Sequence, residues 1–283
     1  SMSLPMSLRI AARHFSSSAG RFGHTLSEHS PGFWTLTLSR PEVHNAFSDR
    51  VIASLSETLD EVAHLPVRGL FLRGEGRSFC AGADLEWMRR AANFTLDQSL
   101  SDALALSKML HQLSSLPCAT VALVQGNAFG GGVGLIAACD VSIGVRSVSL
   151  ALSEARLGII PATISPYVLR RIGSSQARRY FLTGERFDAG RAQQIGLLHE
   201  VASDHEDLEL WASKLEASLR ACAPTAVRSG KVLIEAVEGR PISDELLSET
   251  AQMLSKQRSS AEGREGLSAF LSKRKPSWDS SAS

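Results

Sequence analysis

The stretch Val121–Asp140, VALVQGNAFGGGVGLIAACD, constrains this 283-residue chain more than any other. An apolar, strand-like segment from Val121 to Val124 runs into Gly126, then into Gly130, Gly131 and Gly132, then into an apolar helical pattern. Glycines lack a Cβ, so backbone approaches a ligand closely there and N–H groups can point outward. A helix that starts at this point has unpaired first N–H groups, and the positive end of its dipole faces the same spot. Such a place stabilises an anion or a developing oxyanion. One carboxylate, Glu154, follows in LSEARLGIIP, Leu152–Pro161, an otherwise apolar and basic stretch. Amide donors plus one carboxylate are the minimum set for moving protons beside a thioester carbonyl.

The rest of the chain reads as strand, turn and helix in loose succession. Alternation of Trp34, Leu36 and Leu38 predicts a strand over Phe33–Ser39, ended by Pro41. Ser48 predicts the cap of a helix over Asp49–His64, with Ile52, Leu55, Leu59 and Val62 on one face. A second strand is expected over Gly69–Arg73, helix from Glu86, and a long amphipathic helix over Asp97–Leu116, broken by Pro117. Short strands are expected at Val141–Gly144 and Val148–Leu150. The spacing has no fixed period, which argues against a solenoid and for stacked ββα turns. Helical patterns follow at Gln176–Leu182, Ala189–Ile195, Leu208–Ala221, Ala226–Val237 and Glu262–Ser272. The expected division is an N-terminal extension over 1–30, a spiral core over 31–205 and a helical subdomain over 206–283.

Net charge of +1 gives no electrostatic case for a nucleic-acid partner, and no apolar run reaches membrane-spanning length uninterrupted. Four cysteines, Cys80, Cys118, Cys139 and Cys222, form no CxxC and read as reduced thiols. Residues 8–21 are rich in arginine and serine and lack acids, the composition of a mitochondrial transit peptide. Arginine outnumbers lysine four to one over the whole chain, a bias of GC-rich bacterial genomes. The expected location is a bacterial cytoplasm, with the mitochondrial matrix as the alternative.

A rival reading of the glycine run is Gly132-Val133-Gly134-Leu135-Ile136-Ala137 as GxGxxA, with Glu154 as a ribose-binding acid. Its context is wrong, because the strand ends at Gly126 and five residues intervene before the pattern. A second loop, RSFCAGADLEWM from Arg77 to Met88, resembles the first in design. Ala81-Gly82-Ala83 is small, a helix is expected from Asp84, and an N–H of Ala83 could converge with one from Gly131. A plain turn and N-cap explains that loop taken alone.

Together, LTLSRPEVHNAFS, FCAGADLEWM, VQGNAFGGGVGLIAACD and LSEARLGIIP resemble the crotonase (enoyl-CoA hydratase/isomerase) superfamily, from about Phe33 to the C-terminal FLSKRKPSW. The resemblance implies an α/β fold, a spiral of ββα turns with a helical C-terminal trimerisation region. It implies an acyl-CoA substrate, no metal and no cofactor beyond the coenzyme A of that substrate. It also implies self-association as a trimer or dimer of trimers. Catalytic roles carry over to Glu154 and to the amides of Ala83 and Gly131. Substrate and CoA contacts carry over to Ala46, Ala81, Gly82, Ala83, Asp84, Leu85, Gly130, Gly131, Phe270 and Lys273, with Arg274 beside them.

Within that family, SEARLGIIPATISPY and RRYFLTGERFDA are similar to the bacterial 3-methylglutaconyl-CoA and isohexenylglutaconyl-CoA hydratase group. The first of the family's two glutamates falls on Gly134, which has no side chain; if a bulky acyl branch occupies that space, Gly134→Glu should block glutaconyl-type substrates and favour short linear ones. The implied reaction is hydration of a branched, glutaconyl-type enoyl-CoA. The alternatives are a Δ3,Δ2-enoyl-CoA isomerase, which needs one carboxylate, and a non-catalytic acyl-CoA-binding trimer. Arg89, Arg90, Arg170 and Arg171 are candidates to read a second substrate carboxylate, against the default of solvated arginine. Trp87 and Met88 either line the acyl pocket or pack on a helix face. Asp140 is expected to be a structural hydrogen-bond acceptor.

Overall fold

Each turn of the chain lays one strand in each of two sheets and then turns into helix. The computed structural model describes residues 22–279. Strands β1 (His24–Ser30) and β2 (Phe33–Leu38) pair antiparallel, and α1 (Asp49–His64) leads to the first full turn. That turn is β3 (Gly69–Gly74), β4 (Ser78–Cys80), α2 (Leu85–Ala91) and α3 (Leu96–Ser114). The second is β5 (Ala119–Val124), β6 (Asn127–Phe129) and α4 (Gly131–Ala138). The third is β7 (Val141–Val145), β8 (Ser149–Ala151) and α5 (Ser165–Thr183). Next come β9 (Arg186–Asp188), α6 (Ala189–Gln194) and β10 (Glu200–Ala202). The chain continues with α7 (His205–Ala221), α8 (Pro224–Val237), α9 (Asp244–Ser259) and α10 (Ala261–Leu271).

A six-stranded sheet runs β1-β2-β3-β5-β7-β10, and a four-stranded sheet runs β4-β6-β8-β9. All neighbours are parallel except β1–β2 and β8–β9. This is the crotonase fold with a helical C-terminal region. Every residue of β5 is buried, as suits a parallel strand covered on both faces. Ser48 accepts a hydrogen bond from the Val51 amide and so starts α1. The apolar face of α1, Ile52, Leu55, Leu59 and Val62, is buried, and the helix packs beside α3. Thr95 and Gln98 form a reciprocal capping box on α3. Helix α4 is buried from Gly132 to Ala138, so it is apolar all round instead of amphipathic.

The C-terminal end of α4 is held by side chains. Arg171 donates to the carbonyls of Ala137 (3.3 Å), Cys139 and Asp140 (3.0 Å), satisfying acceptors that a helix end leaves open. Asp140 accepts from the Thr120 amide at 2.7 Å, the Thr120 hydroxyl at 2.9 Å and Lys231 Nζ at 2.8 Å. Asp140 is thus structural, and Arg171 is committed to backbone.

Several expectations change. Residues 24–30, placed above in the N-terminal extension, form the edge strand β1 of the large sheet, so the core starts earlier. The transit-like residues 8–21 lie outside the described residues. Helix α5 begins at Ser165, not Gln176, and breaks at Gly173 (φ 68°). Helix α9 had no counterpart in the sequence reading. Of the apolar positions Leu208, Leu210, Trp211 and Leu215, which the helical pattern of α7 predicts on an exposed assembly face, Leu208 is fully buried and Trp211 and Leu215 pack on the core, so α7 covers the sheet, and only Leu210 stays exposed. Exposed apolar side chains sit further on: Ile234 on α8, Leu247 and Leu254 on α9, Leu267 and Phe270 on α10. Cys80, Cys118 and Cys139 are buried and Cys222 is exposed. No helix among the described residues is long and apolar enough to cross a membrane.

Candidate active site

Two backbone segments meet, one between β4 and α2 in the first turn of the spiral and one between β6 and α4 in the second. Phe47 donates its N–H to Gly82 O and accepts from Asp84 N, both at 2.7 Å. That bridge straddles Ala83 and leaves its amide without a backbone acceptor. Gly82 has φ +87°, and a Cβ there would lie 2.9 Å from Phe129 O and 3.8 Å from Gly131 N. Only glycine lets the two segments come this close. Gly131 opens α4, so its amide also lacks an acceptor in the helix. On the far side, a Cβ on Gly132 would lie 2.2 Å from Cys80 O, so α4 docks directly on β4. Gly130 N donates to Ala151 O at 3.0 Å and ties the same turn to β8.

Glu154 leaves β8 on a 3₁₀ turn over Glu154–Leu157, closed by Gly158 in the left-handed region at φ 73°. Its Oε1 stands 3.1 Å from where a Cβ on Gly130 would be. Its Oε2 is buried with no hydrogen-bond partner. Burial pushes the carboxyl above the usual carboxylate range, and a backbone hydrogen bond draws it partly back. The unfolded chain ionises Glu154 more readily, so the folded state is penalised above its own pKa and relieved as pH falls. Glu154→Gln is expected to raise Tm at about pH 7 and to do so less at about pH 4. A thermal-unfolding series in which the gain is absent or independent of pH would contradict this burial.

Ala83, Gly131 and Glu154 line one cavity of about 380 Å³. Ala81, Gly82, Leu85 and Gly130 line it too. Trp87 and Met88 also line it, and Trp87 packs edge-to-face on Phe94. Other expected contacts lie elsewhere within the chain. Ala46 is buried and is not among the residues that line the cavity. Asp84 accepts from the Glu86 and Trp87 amides as the cap of α2 and lies 3.3 Å from Arg40, so its role here is to fix the loop. Phe270, 81% exposed, and Lys273 do not reach the cavity of their own chain. Neither do the four candidate arginines: Arg90 pairs with Asp49, Arg170 with Glu238, Arg171 with carbonyls, and Arg89 is on the surface.

Gly134 is not part of the wall. A Cβ there would fall 2.3 Å from Ile164 Cγ2, and Ile164 itself lines the cavity. The space expected for an acyl branch beside Gly134 is therefore filled by the Ile164 side chain. Sequence reasoning missed Ile164, Thr163, Phe47, Phe129 and Asp102. Asp102 carried a signal: it precedes Leu106 by one helical turn and shares the face that continues to Leu110 and Leu113.

The profile of the enoyl-CoA hydratase/isomerase family matches residues 28–281. The chain is 34% identical to the enoyl-CoA isomerase/hydratase fer4 of Mycosarcoma maydis, over 87% of this chain and 92% of that one. It is 33% identical to the 1,2-epoxyphenylacetyl-CoA isomerase of Escherichia coli K12, over 89% and 97%. The crystal structure of an enoyl-CoA hydratase from Shewanella pealeana superposes with a TM-score of 0.88 at 37% identity, over 92% and 97%.

Proposed function

The chain belongs to the enoyl-CoA hydratase/isomerase family, and on that premise we propose that it hydrates a branched α,β-unsaturated acyl-CoA thioester with Glu154 as its proton carrier. One observation carries the reading: a buried, unpaired carboxyl oxygen and two unpaired amides border the same apolar cavity. The thioester oxygen accepts from the N–H groups of Ala83 and Gly131. Water adds through its oxygen to the β-carbon while Glu154 takes the proton, and the π electrons move onto the thioester oxygen as an enolate. Glu154 then returns the proton to the α-carbon, so one water is gained and the carboxylate is regenerated. A residue with a raised pKa suits both halves of that exchange. No group beyond the substrate's own coenzyme A enters the mechanism.

Isomerisation of a Δ3-enoyl thioester is the second reading, favoured by Ile164 filling the space beside Gly134, so that no second carboxylate stands at that position to share the work of Glu154. A binding protein without turnover is the third, and an orphaned buried carboxyl speaks against it, since such a group is costly to keep. Incubation with a panel of linear and branched enoyl-CoA thioesters, followed by mass spectrometry, separates them. Hydration adds one water, isomerisation leaves mass unchanged, and the binding protein returns its ligand intact. A glutaconyl-type thioester is one arm of the panel. Its second carboxylate would meet no cation among the described lining residues.

The steric claim has its own test. Gly134→Glu alone is expected to cost at least about 1–3 kcal/mol of stability through overpacking against Ile164. Pairing it with Ile164→Gly should recover part of the loss in Tm. A single variant as stable as the wild type would show that Ile164 yields freely.

We extend the proposal to assembly. Ile234, Leu247, Leu254, Leu267 and Phe270 leave a large apolar surface on α8–α10, of a kind that marks interfaces. Closed symmetric oligomers are the common solution. Light scattering is expected to give a trimer or hexamer at micromolar concentration, with Phe270 and Lys273 serving a neighbour's CoA. A monomer mass would remove both statements.

A further inference from the structure

Asp102 is a second carboxylate in the cavity, and the chemistry proposed above leaves it without a task. It stands on α3, and Leu106, one turn along, lines the same wall. Trp87 Nε1 donates to its Oδ1 at 3.2 Å. The indole is itself held edge-to-face against Phe94, with ring centroids 6.5 Å apart. Asp102 is thus anchored by one oxygen, while its other oxygen has no donor among the described residues. Arg90, a nearby cation, is engaged by Asp49 at 2.9 Å. The described lining contains Asp102 and Glu154 but no lysine, arginine or histidine, and much of the rest is apolar, including Ile52, Leu106, Ile159 and Ile160.

On the reading of this cavity as the acyl site, we propose that Asp102 sets acyl-group specificity. It accepts a hydrogen bond from a hydroxyl on the distal part of the acyl chain and rejects acyl groups that end in a carboxylate. An acyl chain that fills the cavity displaces water from Asp102. A hydroxyl then replaces the lost hydrogen bond. A methyl leaves the free oxygen unpaired, and a carboxylate adds like charge where the described lining holds no cation to offset it. The order of preference is hydroxyl, then methyl, then carboxylate.

The test is calorimetric binding of three saturated acyl-CoA thioesters of equal length, ending in hydroxyl, methyl or carboxylate, to the full-length protein. Saturated chains cannot be hydrated, so this readout is independent of whether the enoyl panel gains water. The wild type is expected to bind the hydroxyl thioester about tenfold more tightly than the methyl one, and the carboxylate thioester about tenfold more weakly. Ratios within one preparation cancel any unfolded fraction. Asp102→Asn should bring the carboxylate and methyl thioesters to within a few-fold of one another. Asp102→Leu should abolish the hydroxyl advantage. Trp87→Phe frees the carboxylate without removing its charge, so it should weaken the hydroxyl preference and keep the discrimination against carboxylate. A wild type that binds the carboxylate thioester as tightly as the methyl one overturns the proposal, as do ratios unchanged in Asp102→Asn. Binding of none of the three overturns it together with the acyl-CoA reading.

Discussion

Glu154→Gln is expected to lower turnover about 10²–10⁴-fold, the range for loss of a general base, while acyl-CoA affinity and the fold persist. The amide keeps the shape of the side chain against Gly130 but can neither take a proton from water nor return it to carbon. Steady-state kinetics on the best thioester of the panel measures the loss, and calorimetry with a saturated thioester shows whether binding survives. A variant that retains more than about a tenth of the wild-type rate would remove Glu154 from the mechanism. The same substitution is expected to stabilise the protein at neutral pH, so a drop in rate cannot be assigned to unfolding.

Gly82→Ala is expected to lower kcat about 10²-fold, within the range for loss of one oxyanion donor. The added methyl would sit 2.9 Å from Phe129 O, a backbone atom that cannot swing aside, at a φ of +87° that alanine rarely adopts. The loop can relieve the clash only by moving away from β6, which carries the Ala83 amide away from that of Gly131. Circular dichroism and thermal unfolding would verify that the core is intact. An unchanged kcat would mean that the Ala83 amide does not bind the developing charge.

That the loops of Ala83 and Gly131 border one cavity was legible because their parts are local: three glycines after an apolar strand, and Ala-Gly-Ala before a helix cap, each announce exposed amides within a few residues. Helix α1 was equally legible, since Ser48 and a single apolar face specify it without outside help. What stayed hidden depends on distant partners. Leu208 looks like an outer-face leucine until β7 and β10 are seen beneath α7. Strand β1, HTLSEHS, is too polar to declare itself and owes its place to pairing with β2. Ile164 and Gly134 lie thirty residues apart, so the filling of one residue's space by the other has no signature along the chain. Asp102 was passed over because an acid near the start of a long helix usually faces solvent.

The two amides that we assign to the oxyanion belong to the main chain, and this changes what a complete substitution map of the protein would look like. Replacing the side chain of Ala83 leaves its N–H in place, so the position that makes the contact can tolerate change. Intolerance is displaced onto Gly82 and Gly132, where a Cβ would meet backbone and push the two segments apart. A screen that ranks residues by loss of activity would therefore outline the scaffold behind the donors and, among titratable groups, single out Glu154. Chemical function and mutational sensitivity would sit on different residues, one position apart in the chain.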